Sequence, residues 1–246
     1  MFIASSILNL MARLRGPKAQ HRLDINRTLR WGAGEAEWQI LDHLVDPELA
    51  SIDVGANAGI YTERLAQLCR KVHAFEPIPW LAADLVRKCS ANVVVHRVAL
   101  SNRAGQARLR IPTRAGIEEN GLTTMEELNA LNSNDSVRVV ECATNRLDNI
   151  ISEPVGFIKI DVEGHELSVL EGAIQTIRTN KPVLVVESER AHNPGAPENV
   201  FQFLEAEGYV GLYLFNGIPR AVGNVRPEGG IVNYIFIRKD SSQRPA

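Results

Sequence analysis

Acidic residues close four apolar runs of this chain: Asp53 in SIDV, Glu76 after KVHAF, Asp161 after GFIKI and Glu187 after PVLVV. Carboxylates gathered in one place repel one another unless positive charge comes between them. Their recurrence at strand ends therefore marks a place where polar or cationic groups are handled. The densest stretch is DVEGHE, where Asp161, Glu163, His165 and Glu166 fall close together. A positioned carboxylate or imidazole can take the proton of a reacting hydroxyl, a factor on the order of 10² to 10⁴ in rate. Asp161 and Glu163 would alternate faces if the strand ran on, but Gly164 implies a turn. Asp161, Glu163 and His165 could each then reach the mouth of a site. His165 has the unperturbed pKa best suited to such work. Glu166 reads better as a favourable charge in the first turn of a helix. Lys159, just upstream, could pair with a carboxylate or point outward. Asp161 and Glu187 at neighbouring strand ends also have the oxygen chemistry that suits magnesium, but solvated loop acids are common and no metal is expected.

A second stretch, SIDVGANAGIYTERLAQL (51–68), runs from an apolar strand through a glycine turn into an amphipathic helix. A dinucleotide fingerprint would place a glycine at the middle of G-x-G-x-x-G so that backbone can approach the pyrophosphate. Here Asn57 stands at that place, and the turn opens on the acid Asp53, which an anionic cofactor would not welcome. A helix N-terminus still offers backbone donors. The combination suits a zwitterionic or cationic nucleoside better than a dinucleotide. Glu76, about 20 residues on, sits where an acid can accept both hydroxyls of a ribose.

The elements that must position these residues alternate. After the first strand and its helix (59–68), KVHAFE (71–76) reads as a strand, and Pro77 and Pro79 open the helix WLAADLVRKC, as proline does in a first turn. NVVVHRVAL (92–100) reads as one β-branched strand. The texture then changes. ARLRIP and VRVVECAT alternate apolar and polar residues around a polar stretch, so residues 105–146 read as an inserted antiparallel excursion, a common place for substrate-binding parts. Alternation resumes with the strand GFIKID (156–161), a helix over HELSVLEGAIQTIRTN, the strand PVLVVE (182–187), a loop, a helix to Glu207 and the strands YVGLYLF and IVNYIFIRK. This predicts an α/β fold, a mostly parallel sheet with helices on both faces. Ligands of such sheets bind beyond the carboxyl ends of the strands, where the strand order reverses.

At 246 residues the chain fits one domain with a sizeable core. The expected organisation is an N-terminal helical segment (1–50) packed on the core, a catalytic domain (51–239) and a frayed tail (240–246). Ile3, Ile7, Leu10, Met11 and Leu14 recur at helical spacing and read as a packing helix. A net charge of −2 without a basic stripe gives no reason to expect a nucleic-acid partner. Cys69, Cys89 and Cys142 are widely spaced and odd in number, which fits neither a disulfide framework nor a zinc site. The cysteines fit a reducing compartment, and no segment has the length and apolarity of a membrane span, so the expected location is cytoplasmic. Trp31, Trp38 and Trp80 are expected to pack in the core.

In order, DVGANAGIYT, AFEP, ALSN, LDNI, FIKIDVEGHELSVLEGA and PVLVVE resemble the FkbM-type methyltransferases. These depend on S-adenosylmethionine and share the Rossmann-like fold of class I methyltransferases. The resemblance spans roughly residues 35–190, is most specific at DVEGHE and its helix, and extends to the small residues NGLTT (120–124). It implies that Asp53, Gly55, Asn57 and Gly59 form the turn against the methionine and ribose of the cofactor. Glu76 would hold the ribose hydroxyls. Ala99, Leu100 and Ser101 would lie near the adenine, with Asn102 where many relatives have aspartate. Asp161 would lie close to the sulfonium and the acceptor. Relatives often carry another residue at the position of His165, so the resemblance favours Asp161 and Glu163, and His165 stays a candidate on its chemistry alone. The acceptor it implies is a hydroxyl of a sugar, glycan, lipid or secondary metabolite. Two other readings are a nicotinamide-dependent oxidoreductase on a similar sheet and a cofactor-binding protein without catalysis.

Overall fold

A computed structural model of the chain describes residues 16–30, 35–114, 117–118, 122–126, 136–223 and 231–240. The expected helix near the N-terminus, the frayed tail, Trp31 and the first part of NGLTT lie outside the described residues.

Apolar runs with both faces covered form the middle of an eight-stranded sheet. Its strands are β1 (Ala50–Val54), β2 (Lys71–Phe75), β3 (Val93–His96), β8 (Val155–Ile160), β9 (Val183–Glu187), β10 (Tyr209–Phe215), β11 (Ile218–Ala221) and β12 (Asn233–Arg238). Their order is β11-β10-β12-β9-β8-β1-β2-β3. From β3 to β9 neighbours are parallel, and β12, β10 and β11 add antiparallel strands at the other side. The chain leaves β1 toward β2 and β3 and later returns on its other flank as β8 and β9. The order therefore reverses at the carboxyl ends of β1 and β8, the crevice where such sheets bind ligands. Every residue of β1 is buried. Two apolar clusters fill the sheet's faces, one around Ile52, Ile158, Leu170 and Val186, the other around Leu41, Leu65, Phe157 and Val185.

The helices are α1 (Pro17–Arg30), α2 (Leu41–Leu44), α3 (Ile60–Leu68), α4 (Pro79–Lys88), α5 (Glu166–Gly172), α6 (Ile174–Asn180) and α7 (Glu198–Ala206). Pro79 stands in the first turn of α4. α1 lies on α3 and α4, with Arg22 Nε 3.0 Å from the buried Glu63 carboxylate. Between α1 and α2, Trp38 packs edge-on against Tyr61, ring centroids 5.4 Å apart.

The inserted segment forms a second sheet in the order β4-β7-β5-β6, from β4 (Ala99–Leu100), β5 (Gly105–Arg114), β6 (Ile117–Glu118) and β7 (Ser136–Asn145). β5 and β7 pair antiparallel along their length.

Three expectations are corrected. The run 92–100 is two strands in two sheets, because the Val98 amide bonds back to the His96 carbonyl at 3.0 Å and turns the chain off the main sheet. The helix after DVEGHE breaks at Ala173, whose ψ of 8° leaves the helical range. Just before the break, Gly172 lies so close to β4 that a Cβ there would be 2.1 Å from the Ser101 carbonyl oxygen. The chain from Phe215 to Ala221 holds an additional strand, β11, joined to β10 by Asn216 and Gly217, both with positive φ; this is the turn chemistry that hairpins favour.

Candidate active site

One cleft opens at the carboxyl ends of β1, β2 and β8. Its lining includes Gly55, Asn57, Glu76, Ala99, Leu100, Asp161 and Glu163. The structure thus gathers seven of the eleven residues proposed from sequence around one space. Phe75, Ile78, Val98, Leu109 and Met125 add an apolar wall, and Thr123 a hydroxyl. Leu109, Thr123 and Met125 come from the inserted segment, so the excursion supplies one side of the cleft.

The turn is shaped by close approach. Gly55 has φ +82°, and a Cβ there would lie 1.9 Å from the Asp161 carbonyl oxygen. Asn57 also adopts positive φ, +45°, which asparagine tolerates better than most residues. Its amide donates to Glu76 Oε2 at 2.8 Å, and the Ile78 amide donates to Glu76 Oε1 at 2.8 Å. Both carboxylate oxygens are thereby fixed at the cleft wall, yet each keeps acceptor capacity for a hydroxyl. Burial pushes the Glu76 carboxyl up to about 7, against the two amide bonds.

Asp53, Gly59, Ser101 and His165 lie outside the lining. Asp53 is enclosed behind the turn, where it accepts the Thr62 hydroxyl at 2.5 Å, and burial raises its carboxyl to about 6. Gly59 caps α3 in a left-handed conformation. His165 Nε2 is 3.0 Å from Ser101 Oγ and its Nδ1 2.6 Å from Glu126 Oε1. Its ring ties the insertion to β4 instead of facing the cleft. Asn102, placed by the resemblance near the adenine, donates to Glu171 at 2.8 Å. Trp38 and Trp80 are not in the lining either; Trp80 instead carries the Arg138 guanidinium 4.1 Å over its ring.

The positive charge between the strand-end acids is Lys159, which is wholly buried. Its Nζ lies 3.5 Å from Asp161, 3.8 Å from Glu187 and 3.9 Å from Glu35, and donates to Asn233 Oδ1 at 3.2 Å. The Tyr61 ring centroid is 4.8 Å away. Burial opposes the ammonium, but Asp161, Glu35, Glu187 and Asp53 outweigh it and hold the Lys159 pKa above its ordinary value. Burial, then the Asp161 charge, pushes Glu187 up to about 8. Glu35 Oε2 accepts both the Tyr61 hydroxyl at 2.6 Å and the Asn233 Nδ2 amide at 3.1 Å. Glu35 and Asn233 escaped sequence reasoning, since neither stands at a strand's carboxyl end. Lys159 in the middle of an apolar strand was the available signal. Among the described residues, no three histidine, cysteine, aspartate or glutamate side chains converge as a metal site, and the ammonium fills the space between Asp161 and Glu187. All three cysteines are free and buried. Among the described residues, no helix is long and apolar enough to cross a membrane.

A cleft with a fixed carboxylate at one end, an apolar slot beside it and acids at the other fits a nucleoside that carries a positive charge. Glu76 could accept vicinal hydroxyls, the apolar wall could flank a flat base, and Asp161 and Glu163 could face a cation.

A family profile described as the methyltransferase FkbM domain matches residues 53–210. Among solved structures, a methyltransferase FkbM from Methylobacillus flagellatus superposes with a TM-score of 0.53 at 16% identity, covering 82% of this chain and 47% of that one. The chain thus spans about half the length of that relative. A putative methyltransferase from Streptococcus mutans, in complex with S-adenosylhomocysteine, gives a TM-score of 0.46 at 13% identity and covers 82% of this chain and 95% of that one. A precorrin-6y C5,15-methyltransferase from Geobacter metallireducens gives 0.44 at 13% identity, with 83% and 87% covered. No curated protein matches.

Proposed function

The chain belongs to the FkbM family of S-adenosylmethionine-dependent methyltransferases, and on that premise we propose that it methylates a hydroxyl of a small-molecule, sugar, glycan or lipid acceptor. The observation that carries the cofactor assignment is the Glu76 carboxylate, fastened by two backbone amides in the wall of the cleft where the strand order reverses.

S-adenosylmethionine supplies a methyl on a sulfonium: as the acceptor oxygen bonds to that carbon, the carbon–sulfur bond breaks and its electron pair stays on sulfur. In this reading Gly55 and Asn57 shape the turn beneath the ribose, and Glu76 accepts its hydroxyls. Ala99 and Leu100, with Phe75 and Ile78, flank the base. Asp53 and Gly59 act behind the turn, one buttressing it through Thr62, the other starting α3. Asp161 and Glu163 face the positive end, and either carboxylate can take the acceptor's proton. Alignment of this kind can supply roughly 7–11 kcal/mol of the barrier. His165 and Ser101 hold the insertion against the base-binding edge.

The test is calorimetry with S-adenosylmethionine on the wild type and Glu76→Ala, with nicotinamide dinucleotide as control. Micromolar binding that falls tenfold or more in the variant, about 1.4 kcal/mol, supports the assignment. Binding of the dinucleotide instead would overturn it. A methyl-release assay over hydroxylated acceptors then tests the acceptor class.

A further inference from the structure

The loop that follows β9 folds over the DVEG turn. Asn193 Nδ2 donates to the Gly164 carbonyl at 3.0 Å. A Cβ on Gly164, whose φ is +105°, would lie 2.7 Å from the His192 carbonyl oxygen, so glycine is what lets turn and loop touch. The contact sets His192 Nδ1 2.8 Å from Glu163 Oε2 and His192 Nε2 2.9 Å from Glu189 Oε1. Glu163 is held at its backbone as well: its φ is +54°, and the Thr124 hydroxyl donates to its carbonyl at 2.8 Å. Glu163 lines the cleft while Glu189 is the more exposed of the two acids. Carboxylate, imidazole and carboxylate thus stand in file from the cleft wall toward the surface. The neighbouring His165 has no part in this file, because its ring engages Ser101 and Glu126.

We propose that His192 is a positioning residue for methyl transfer, clamped by Glu189 so that it holds the Glu163 carboxylate ionised and in place at the cleft wall. The proposal rests on the methyltransferase reading of the cleft. The charges around the pair are consistent with it. Burial raises the Glu163 carboxyl, as do the charges of Asp161 and Glu189, and His192 is the group that lowers it. For His192, the hydrogen bond to Glu163 comes first, and with the charges of Glu163, Glu189 and Glu166 it outweighs burial and raises the ring to about 9. The ring is then an imidazolium at neutral pH, a cation set between two carboxylates. A carboxylate kept ionised beside the transferring methyl favours the sulfonium and is ready to receive the acceptor's proton.

Two readouts on the full chain test this, neither needing the acceptor. The first is the Glu163 titration midpoint by carbon NMR of carboxyl-labelled glutamate, assigned by loss of the signal in Glu163→Gln. The second is the preference for sinefungin, an analogue with an amine in place of the methyl sulfonium, over S-adenosylhomocysteine. In His192→Gln the Glu163 midpoint is expected to rise by about one pH unit or more, and the sinefungin preference to fall severalfold just below neutral pH. Glu189→Gln, at the exposed end, is expected to move both in the same sense by less, which keeps the test open should His192→Gln fail to fold. A folded variant whose Glu163 midpoint stays put, with S-adenosylhomocysteine still bound, overturns the role of His192 alone. Failure of the wild type to bind either nucleoside overturns the methyltransferase reading and the proposal with it.

Discussion

Gly55 and Asp161 meet where β1 and β8 end: the Asp161 amide donates to the Val54 carbonyl at 3.0 Å, and a Cβ on Gly55 would lie 1.9 Å from the Asp161 carbonyl oxygen. One side of the glycine turn is thus laid directly on the strand that delivers Asp161, with no loop between them.

Gly55→Ala should therefore be costly on two counts. A left-handed conformation costs a residue with a Cβ roughly 1–2 kcal/mol, and forcing an atom into a packed contact adds about 1–3 kcal/mol. Urea denaturation should show a loss of about 2–5 kcal/mol in all. Gly217→Ala is the control. Its φ is +75°, but a Cβ there meets nothing within 4 Å, so it should lose only the first part. Equal losses at the two positions would remove the argument from close approach.

Replacing the buried cation exposes the acids to one another. Lys159→Met should cost about 3–5 kcal/mol, the usual result of leaving buried charges without their partner. Glu187 gives the pH dependence. Its folded pKa of about 8 stands above its ordinary 4.5, so the native state keeps a proton that the unfolded chain gives up. Stability drawn from this group is present at low pH and is lost as pH rises through that window. Without Lys159 the folded pKa should rise further, so the variant's deficit should be larger at alkaline than at mildly acidic pH. Adding Glu187→Gln should recover part of it. Denaturation curves across that range decide the matter, and a deficit independent of pH would argue against the charge network.

Glu76 predicts the opposite trend for binding. Its folded carboxyl titrates near 7 because it is buried, and only the ionised form offers full acceptor strength to two hydroxyls. Affinity for S-adenosylhomocysteine should strengthen as pH rises through neutrality, and that part of the dependence should vanish in Glu76→Gln. A wild-type affinity that weakens over the same range would place the ribose elsewhere.

Much of this was legible beforehand because parallel strands buried on both faces write themselves as apolar runs, and the acids ending them point at the switch in strand order. Glu76 and Asp161 end two of those runs, Glu163 follows in DVEGHE, and Gly55 and Asn57 stand in the glycine turn after the first strand; all five line the cleft. What stayed hidden depended on partners far away in sequence. Glu35 and Asn233 reach Lys159 only once the sheet has formed. Met125 sits in a polar stretch with no periodicity, so its place in the cleft wall left no local trace, whereas Thr123 falls in NGLTT, which only the resemblance singled out. The break between β3 and β4 is made by a backbone bond at Val98 with neither glycine nor proline to announce it. The β10–β11 hairpin did carry a signal, Asn216-Gly217, of the kind that turns use. His192 meets Glu163 only because Gly164 lets its loop approach the turn, a contact that the spacing of the two residues in sequence does not announce.

His165 separates a catalytic from a tethering role by experiment. If its ring is a tether, as its bonds to Ser101 and Glu126 indicate, His165→Phe should free the inserted segment first. Thr123 and Met125, next to Glu126, line the cleft. Amides from Leu122 to Glu126 should then exchange faster in hydrogen-exchange measurements, and S-adenosylhomocysteine should bind several-fold more weakly. Glu126→Gln removes the charge at the other end of the same link and should reproduce both effects in milder form. A proton-abstracting histidine predicts something different: unchanged exchange, unchanged affinity and a fall in turnover on the order of 10² to 10⁴. Because Glu126 belongs to the insertion and His165 to the N-terminus of α5, the tether also predicts that neither loss adds to the other in the double variant. Two substitutions that cut the same link cut it only once.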